Sequence, residues 1–406
     1  MKILMIAQRL PYPPDKGEKI RSFHELRYLA ERHDVWCACL IDDPADWRHV
    51  DELRRWCRDV AAFPVRRTSG MLRGAVRLLS GGTFTEGYFS SRPLAQAIAR
   101  WSKQVGFDAV LSFSSSIARY GLTVVARRRV VDLCDVDSAK WAAYAKRRRP
   151  PARWILNAEA KRLARRERDL VAAYDAATVI TAAEVERLEQ ADQTTDAKAC
   201  ETDRTNVTVI RNGIDLETFN PGTGSATEPI VGFVGTMDYL PNVEGVCWFV
   251  QRVWPGILHA WADARFLIVG RSPTRRVRAL GHVRSIEVTG TVPSTLAYLQ
   301  RMQVCVIPLE MVHGLANKVL EAMACGKPVV TTSAVAASLG AERDRDLLVA
   351  DEPKRFAQHV EALLGDAERR AVLGRAARAF VESAYRWPDQ LVKLERLLCG
   401  ELDNLK

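Results

Sequence analysis

Apolar positions in this chain come as short continuous runs separated by amphipathic stretches. In the first half, residues 2–7, 35–40, 61–65, 108–113 and 130–133 form such runs. A run that is apolar at every position, with no polar alternation, predicts a strand of a parallel sheet covered on both faces. Between them, residues 18–31, 43–58, 93–104, 153–172 and 183–190 predict helices. Leu156, Leu163 and Leu170 repeat on one face of the long helix, with arginines on the others. A polar stretch at 192–206 predicts an exposed loop near a boundary. A second alternation follows, with strands predicted at 207–210, 230–234, 265–269, 285–288 and 304–309. Its helices are predicted at 242–259, 353–364, 367–385 and 389–398. Three of these strands end on glycine, at Gly235-Thr236, Gly270-Arg271 and Thr289-Gly290. Open α/β sheets bind ligands beyond the carboxyl ends of their strands. The expectation is an α/β chain of two Rossmann-like, parallel-sheet domains, 1–205 and 206–385. A final helix, about 386–406, is expected to pack back on the first.

The chain has 406 residues, of which 48% are hydrophobic, enough for two cores. No stretch approaches the roughly 18 uninterrupted apolar residues of a membrane span. Residues 1–7 read as a first strand and not as a leader segment. The nine cysteines lie mostly in apolar runs and form no Cys-x-x-Cys pair. That pattern suits buried thiols in the cytoplasm better than a disulfide or zinc scaffold. The net charge of +10 is concentrated. Arg127-Arg128-Arg129, Lys146-Arg147-Arg148-Arg149, Lys161-Arg162, Arg165-Arg166 and Arg168 crowd one region, with Trp141, Tyr144, Trp154 and Ile155 interleaved. Taken singly, each pair reads as a solvated helix face. As a cluster they suit an anionic membrane surface.

Residues 313–330, His-Gly-Leu-Ala-Asn-Lys-Val-Leu-Glu-Ala-Met-Ala-Cys-Gly-Lys-Pro-Val-Val, carry the strongest chemical signal. They follow the strand at 304–309 and predict a glycine turn, a short helix ended by Gly326, and a strand from Pro328. A strand, a glycine turn and a helix N-terminus form an anion cradle, because free N–H groups and the helix dipole face the ligand. Gly314, Leu315, Ala316 and Asn317 would supply the backbone, Lys318 a mobile positive charge. One turn on, Glu321 could accept two ribose hydroxyls. His313 reads either as a structural imidazole or as a contact to a sugar hydroxyl or phosphate.

In the first half, Gly17 follows a Pro-rich loop after the first strand and permits close backbone approach to a phosphate or sugar. Lys16, Lys19 and Arg21 crowd a helix start, where the dipole disfavours cations, so they are candidate acceptor or phosphate contacts. Asp135 and Asp137 end a strand one residue apart. Asp135 reads as a carboxylate near a reaction centre, and Asp137 as either a catalytic group or, with Ser138, a helix cap.

Together these segments resemble family 4 glycosyltransferases. The resemblance rests on residues 12–21, on Asp135-Val136-Asp137-Ser138-Ala139-Lys140-Trp141, on residues 235–244, and on Asn317-Lys318-Val319-Leu320-Glu321-Ala322-Met323-Ala324. It is closest to sugar transferases of exopolysaccharide loci near exosortase-type systems. In that family two Glu flank seven residues before an Ala-Met-Ala helix. Here Glu321 is the second, and His313 stands at the first. Thr236 and Asn242 stand where many members carry Arg and Lys, so Lys318 and Arg271 become the candidate cations. The segment 134–137 lacks the histidine often found there.

The resemblance implies a GT-B fold with two Rossmann-like domains facing a cleft. It also implies retaining transfer from a nucleotide-diphosphate sugar to a lipid-linked or growing glycan, at the inner face of a bacterial plasma membrane. The donor site would comprise Gly235, Thr236, Arg271, Gly290, residues 314–318 and Glu321. The catalytic set would be Asp135, His313 and Lys318, with Gly17, Lys19, Arg21 and Asp137 on the acceptor side. No cofactor, metal or nucleic-acid partner is expected. The alternatives are a nucleotide-sugar 2-epimerase of the same architecture and a non-enzymatic basic nucleic-acid binder.

Overall fold

The computed structural model describes residues 1–15, 17–193, 206–222, 227–312 and 314–401. Lys16 and His313 lie outside the described residues. The chain divides into two units: Met1–Arg211 with Pro388–Lys406, and Asn212–Trp387.

The first unit is built on a seven-stranded parallel sheet, with order β3-β2-β1-β4-β5-β6-β7. Its strands are β1 (Lys2–Ala7), β2 (Asp34–Ile41), β3 (Asp59–Pro64), β4 (Ala109–Phe113), β5 (Arg128–Cys134), β6 (Ala176–Val179) and β7 (Val207–Val209). Burial on both faces explains the unbroken apolar runs: every residue of 3–7 has no solvent exposure. The chain begins in the middle of the sheet and reverses direction between β1 and β4. Ala7 pairs with Phe113, and Phe113 with Asp132, so the carboxyl ends of β1, β4 and β5 lie side by side. This is the topological switch point of the unit.

Two helical expectations need correction here. Residues 43–58 form a 3-10 turn, Pro44–His49, and one helical turn, Val50–Leu53. Val50, Leu53 and Cys57 reach the core from this stretch while Trp47 stays 43% exposed, so burial holds little more than one turn. Helices Arg67–Leu79 and Phe84–Tyr88 were not legible as helices, and of Asp137–Lys146 only the candidate cap at Asp137-Ser138 was.

The second unit has a six-stranded parallel sheet, order β10-β9-β8-β11-β12-β13. The strands are β8 (Ile230–Val234), β9 (Arg265–Val269), β10 (Ile286–Gly290), β11 (Val304–Ile307), β12 (Val329–Thr331) and β13 (Leu348–Val349). The helix expected at 242–259 is interrupted. It runs Leu240–Trp248, widens into a π turn at Phe249–Val253, and resumes as Trp254–Ala260. Pro255 causes this: it has no N–H to donate, and its ring would clash with the carbonyl one turn earlier. Phe249 and Trp254 pack on Phe266 of β9, with ring centroids 4.7 and 5.5 Å apart.

The last helix, Trp387–Cys399, packs mostly on the first unit. Tyr28 donates its hydroxyl to Glu395 at 2.9 Å, and Arg128 Nε donates to the Leu397 carbonyl at 3.1 Å. Leu391, Leu394, Leu397 and Leu398 are buried.

Candidate functional site

In the second unit, β8, β9 and β11 end next to one another, and the residues beyond them build the first candidate site. Gly235 directly follows β8 and Gly270 directly follows β9. The Gly235 N–H donates to the Val269 carbonyl at 2.9 Å. Gly270 sits at φ +148°, where a Cβ would collide with the Gly235 carbonyl oxygen. Only glycine permits this close crossing of two backbones. Met237 N–H then donates to the Arg271 carbonyl at 2.9 Å, which locks the two loops together.

Beyond β11, Gly314 takes φ +65° and turns the chain into helix Asn317–Ala324. This helix has no side-chain cap at its N-terminus; Ala316 occupies that position. The helix ends at Gly326, φ +64°, whose N–H donates to the Met323 carbonyl at 2.9 Å. Asn212 Nδ2 donates to Asn317 Oδ1 at 3.0 Å, so the Asn-Gly-Ile-Asp segment steadies the first residue of the helix.

Lys318 points across to the end of β8. Its Nζ lies 5.8 Å from the centre of the Phe233 ring, and a Cβ on Gly235 would be 3.1 Å from its Cε and 2.8 Å from Asn242 Nδ2. Gly235, Asn242, Phe233 and Lys318 are therefore one cluster. Asn242 is 2% exposed and donates to the Thr236 carbonyl at 2.9 Å, while its Oδ1 has no protein partner among the described residues. Burial lowers the Lys318 ammonium to about 8, with Glu321 pulling the other way. Burial likewise raises Glu321 to about 7, against the pull of Lys318. Two ionisable groups one turn apart are thus both desolvated, a condition typical of groups awaiting a charged or polar ligand. Arg271 follows β9 and Gly290 ends β10 on the same edge of the sheet, and Gly290, φ +69°, has open space where a side chain would go.

In the first unit the strand ends hold a second polar centre. Ser114, after β4, and Cys134, ending β5, adopt φ +89° and +62°, left-handed values that are strained for non-glycine residues. Ser114 N–H donates to the Asp132 carbonyl at 2.8 Å. Asp135 follows. Burial, together with the neighbouring Asp137 and Asp132 charges, raises it to about 6 despite Lys140 and Arg21. Asp137 is the first residue of its helix and accepts from Ser115 Oγ at 3.3 Å. It is not the cap: Val136 holds that position without a side-chain bond. Glu167 supplies the missing acceptor from another helix, taking Ser138 N–H at 3.1 Å and Ser138 Oγ at 2.5 Å, and Glu184 takes Val136 N–H at 3.3 Å. Burial raises both carboxyls to about 8. Glu167, Glu184 and Ser115 escaped sequence reasoning; helical and loop polar residues give no signal until their partners are known.

Lys19 and Arg21 are corrected by the structure. Both are buried, at 1% and 0% exposure. Lys19 pairs with Asp46 at 2.9 Å. Arg21 Nε pairs with Asp132 at 2.5 Å and Glu25 at 3.0 Å, and its Nη1 donates to the Ile210 carbonyl at 2.7 Å. Burial and the Asp132 charge push Glu25 well above the carboxylate range; burial also acts on Asp132, but Arg21 outweighs it and holds Asp132 low. Glu25 therefore keeps the proton, and Arg21 and ionised Asp132 form the pair. These cations hold the sheet and helix together. Gly17, the first residue of helix Gly17–Ala30, is exposed.

The basic cluster splits in two. Arg128, Arg129, Arg162 and Arg166 are engaged inside the unit, Arg166 with Glu86 at 2.6 Å. Lys146 to Arg149, Arg153, Lys161 and Arg165 are exposed. Among the described residues no group of His, Cys, Asp or Glu is placed to hold a metal ion, and no helix is long and apolar enough to cross a membrane.

Residues 228–366 match the family described as glycosyl transferases group 1, and Gly235, Asn242, Lys318 and Glu321 lie within the matched stretch. A GDP-mannose-dependent monoacylated α-(1-6)-phosphatidylinositol monomannoside mannosyltransferase of Corynebacterium glutamicum is 28% identical over 216 residues. The match covers 47% of this chain and 56% of that protein. Among solved structures, Anabaena HepE in complex with UDP superposes with a TM-score of 0.70 at 15% identity, over 98% of this chain and 100% of that one. Sucrose-phosphate synthase from Thermosynechococcus elongatus gives 0.71 at 17% identity, over 99% of each chain. At such identities the likeness shows the fold: α/β, of the GT-B type, with two Rossmann-like units.

Proposed function

We propose that this chain is a glycosyltransferase that moves a sugar, with retention, from a nucleotide-diphosphate sugar to a lipid-linked or growing glycan acceptor. The observation that carries this reading is the uncapped N-terminus of helix Asn317–Ala324 with desolvated Lys318 and Glu321 on its first turns. An anion placed there would meet free N–H groups, the positive end of the helix dipole and one ammonium. Glu321 would accept the ribose hydroxyls, and Asn242 Oδ1, buried without a partner, would accept a donor from the bound nucleotide. Asp135 and Asp137 in the first unit would receive the acceptor hydroxyls.

In this reaction the anomeric C–O bond to the diphosphate breaks, a bond to the acceptor oxygen forms on the same face of the sugar, and the acceptor's hydroxyl proton passes to the leaving diphosphate. Charge develops on the leaving diphosphate, so fixed positive groups at Lys318 and the helix N-terminus would lower the barrier most. That neutralisation comes from the chain itself, and the proposed reaction uses no metal. A relative named for GDP-mannose-dependent transfer to a monoacylated phosphatidylinositol monomannoside supports a lipid-linked acceptor, and we place the reaction at the inner membrane face. Exopolysaccharide synthesis is the cellular setting that the sequence resemblance favours.

Thermal stabilisation by UDP, GDP, ADP and their sugar conjugates tests the proposal. A saturating ligand at about a hundredfold above its Kd should add roughly 2.7 kcal/mol of stability. Glu321→Ala should weaken that ligand by about 1.5–3 kcal/mol while the unliganded protein stays folded. No stabilisation by any of them, or an unaffected Glu321→Ala variant, would refute the donor-site assignment.

A further inference from the structure

Helix Arg67–Leu79 carries its large apolar side chains on the wrong face for a packed helix. Its inner face is made of glycine. A Cβ on Gly70 would lie 3.0 Å from the Tyr88 ring, and one on Gly74 2.6 Å from the Phe84 ring. At about 100° per residue, Met71, Leu72, Ala75, Val76 and Leu79 fall within an arc of roughly 140° on the opposite side. They face solvent, with Leu79 88% exposed, Leu72 67%, Val76 56% and Met71 50%. An ordinary surface helix does the reverse and buries its leucines. Arg66 and Arg67 are exposed where this helix starts, and residues 66–80 contain no carboxylate.

A second projection lies on an attached element. Arg162 of helix Ala152–Ala173 donates to the carbonyls of Leu78 and, at 3.0 Å, Gly82, which fastens the end of the first helix to the second. The second helix opens with Trp154 and Ile155, 67% and 53% exposed. Exposed Arg153 adjoins them, and the exposed run Lys146 to Arg149 precedes them, again without a carboxylate between 146 and 155.

We propose that helix Arg67–Leu79 lies in the interface of an anionic lipid bilayer, with Met71, Leu72, Val76 and Leu79 among the acyl chains and the neighbouring arginines at the lipid phosphates. Trp154 and Ile155 form the second anchor. The charge pattern selects lipid as the occupant. A second copy of this face would bring arginines against arginines with no carboxylate to balance them, whereas a sheet of phosphates balances all of them. The inference rests on the reading of this chain as a transferase at a membrane surface, and gives that reading a defined contact element.

The test compares the full chain with its Leu72→Ser/Val76→Ser/Leu79→Ser variant, in which exposed residues alone are changed. Both are sedimented with vesicles of pure phosphatidylcholine and with vesicles containing about one third phosphatidylglycerol. The parent should pellet with the anionic vesicles, and the triple variant should partition about tenfold or more weakly while keeping its nucleotide-dependent stabilisation. Equal binding by parent and variant would overturn the helix inference and leave membrane attachment to the basic run. A parent that binds neither vesicle would overturn the inference and the membrane part of the reading together, with donor binding judged separately by nucleotide stabilisation. A parent dimer that the triple substitution dissociates would overturn it in favour of self-association.

Discussion

Replacing Lys318 by methionine removes the ammonium and keeps most of the apolar stem. The fall of this group from 10.5 to about 8 corresponds to roughly 3 kcal/mol of disfavoured charge in the unliganded protein. A group with a depressed value contributes stability above its unfolded value, and that contribution is lost as pH falls through about 8. Glu321 is raised from 4.5 to about 7, so its contribution is present below 4.5 and lost as pH rises through about 7. At pH 7–8 both charged forms therefore strain the empty site, and Lys318→Met should raise unliganded stability there. A bound diphosphate reverses the balance by pairing with the ammonium. At pH 8 about half of the unliganded lysines are neutral, so binding should take up roughly half a proton. Calorimetry in two buffers of different ionisation enthalpy measures this directly. The methionine variant should show no such uptake and should bind the same nucleoside diphosphate about 1.5–3 kcal/mol more weakly. Affinity in the parent should fall above pH 8, as Lys318 deprotonates, and below pH 7, as Glu321 protonates. Unchanged affinity in the variant, or buffer-independent heats in the parent, would remove Lys318 from the diphosphate.

Arg21→Met should destabilise the first unit by about 3–5 kcal/mol in chemical denaturation, because it strands Asp132 in the core. The deficit should shrink as pH falls toward the ordinary carboxylate range, since a protonated Asp132 no longer needs the guanidinium; an activity loss without any stability loss would restore Arg21 to the acceptor. Gly270→Ala should cost more than about 3 kcal/mol, read from the same denaturation curves, since the added Cβ meets the Gly235 carbonyl at a backbone angle alanine avoids. Replacing Lys146, Arg147, Arg148 and Arg149 by glutamine should sharply reduce binding to anionic vesicles at low salt, by about 1 kcal/mol per charge, and leave nucleotide binding unchanged; binding equal to the parent's would count against the basic run.

The parts of the fold that announced themselves were those where burial acts on a contiguous segment. Strands β8 and β9 coincide with the apolar runs 230–234 and 265–269, because a sheet covered on both faces leaves no polar position to blur their ends. The turn at Gly314 and the stop at Gly326 were equally visible, since a left-handed position selects glycine. Helix Arg67–Leu79 was invisible for the opposite reason: its apolar residues face outward, and its packing face is two glycines. Arg21 misled because its partner Asp132 is 111 residues away. A cation at a helix start looks misplaced until the buried carboxylate opposite it is known. The carboxyls of Glu167 and Glu184 are the same kind of case, being caps delivered from other helices to residues 136–138.

The path of the chain through its two units bears on how the protein is made. The second unit is one uninterrupted stretch, 212–387, whereas the first is assembled from 1–211 and from 388 onward. Gln390 accepts the Arg211 N–H at 3.3 Å, and Leu391, Leu394, Leu397 and Leu398 of the final helix are buried. During synthesis the first unit thus waits for residues 388 onward, while the second has all its strands as soon as residue 387 emerges. The usual order, in which domains fold from the N-terminus forward, is reversed. A chain cut short before residue 388 would carry every strand of the second unit and lack the helix whose Leu391, Leu394, Leu397 and Leu398 are buried.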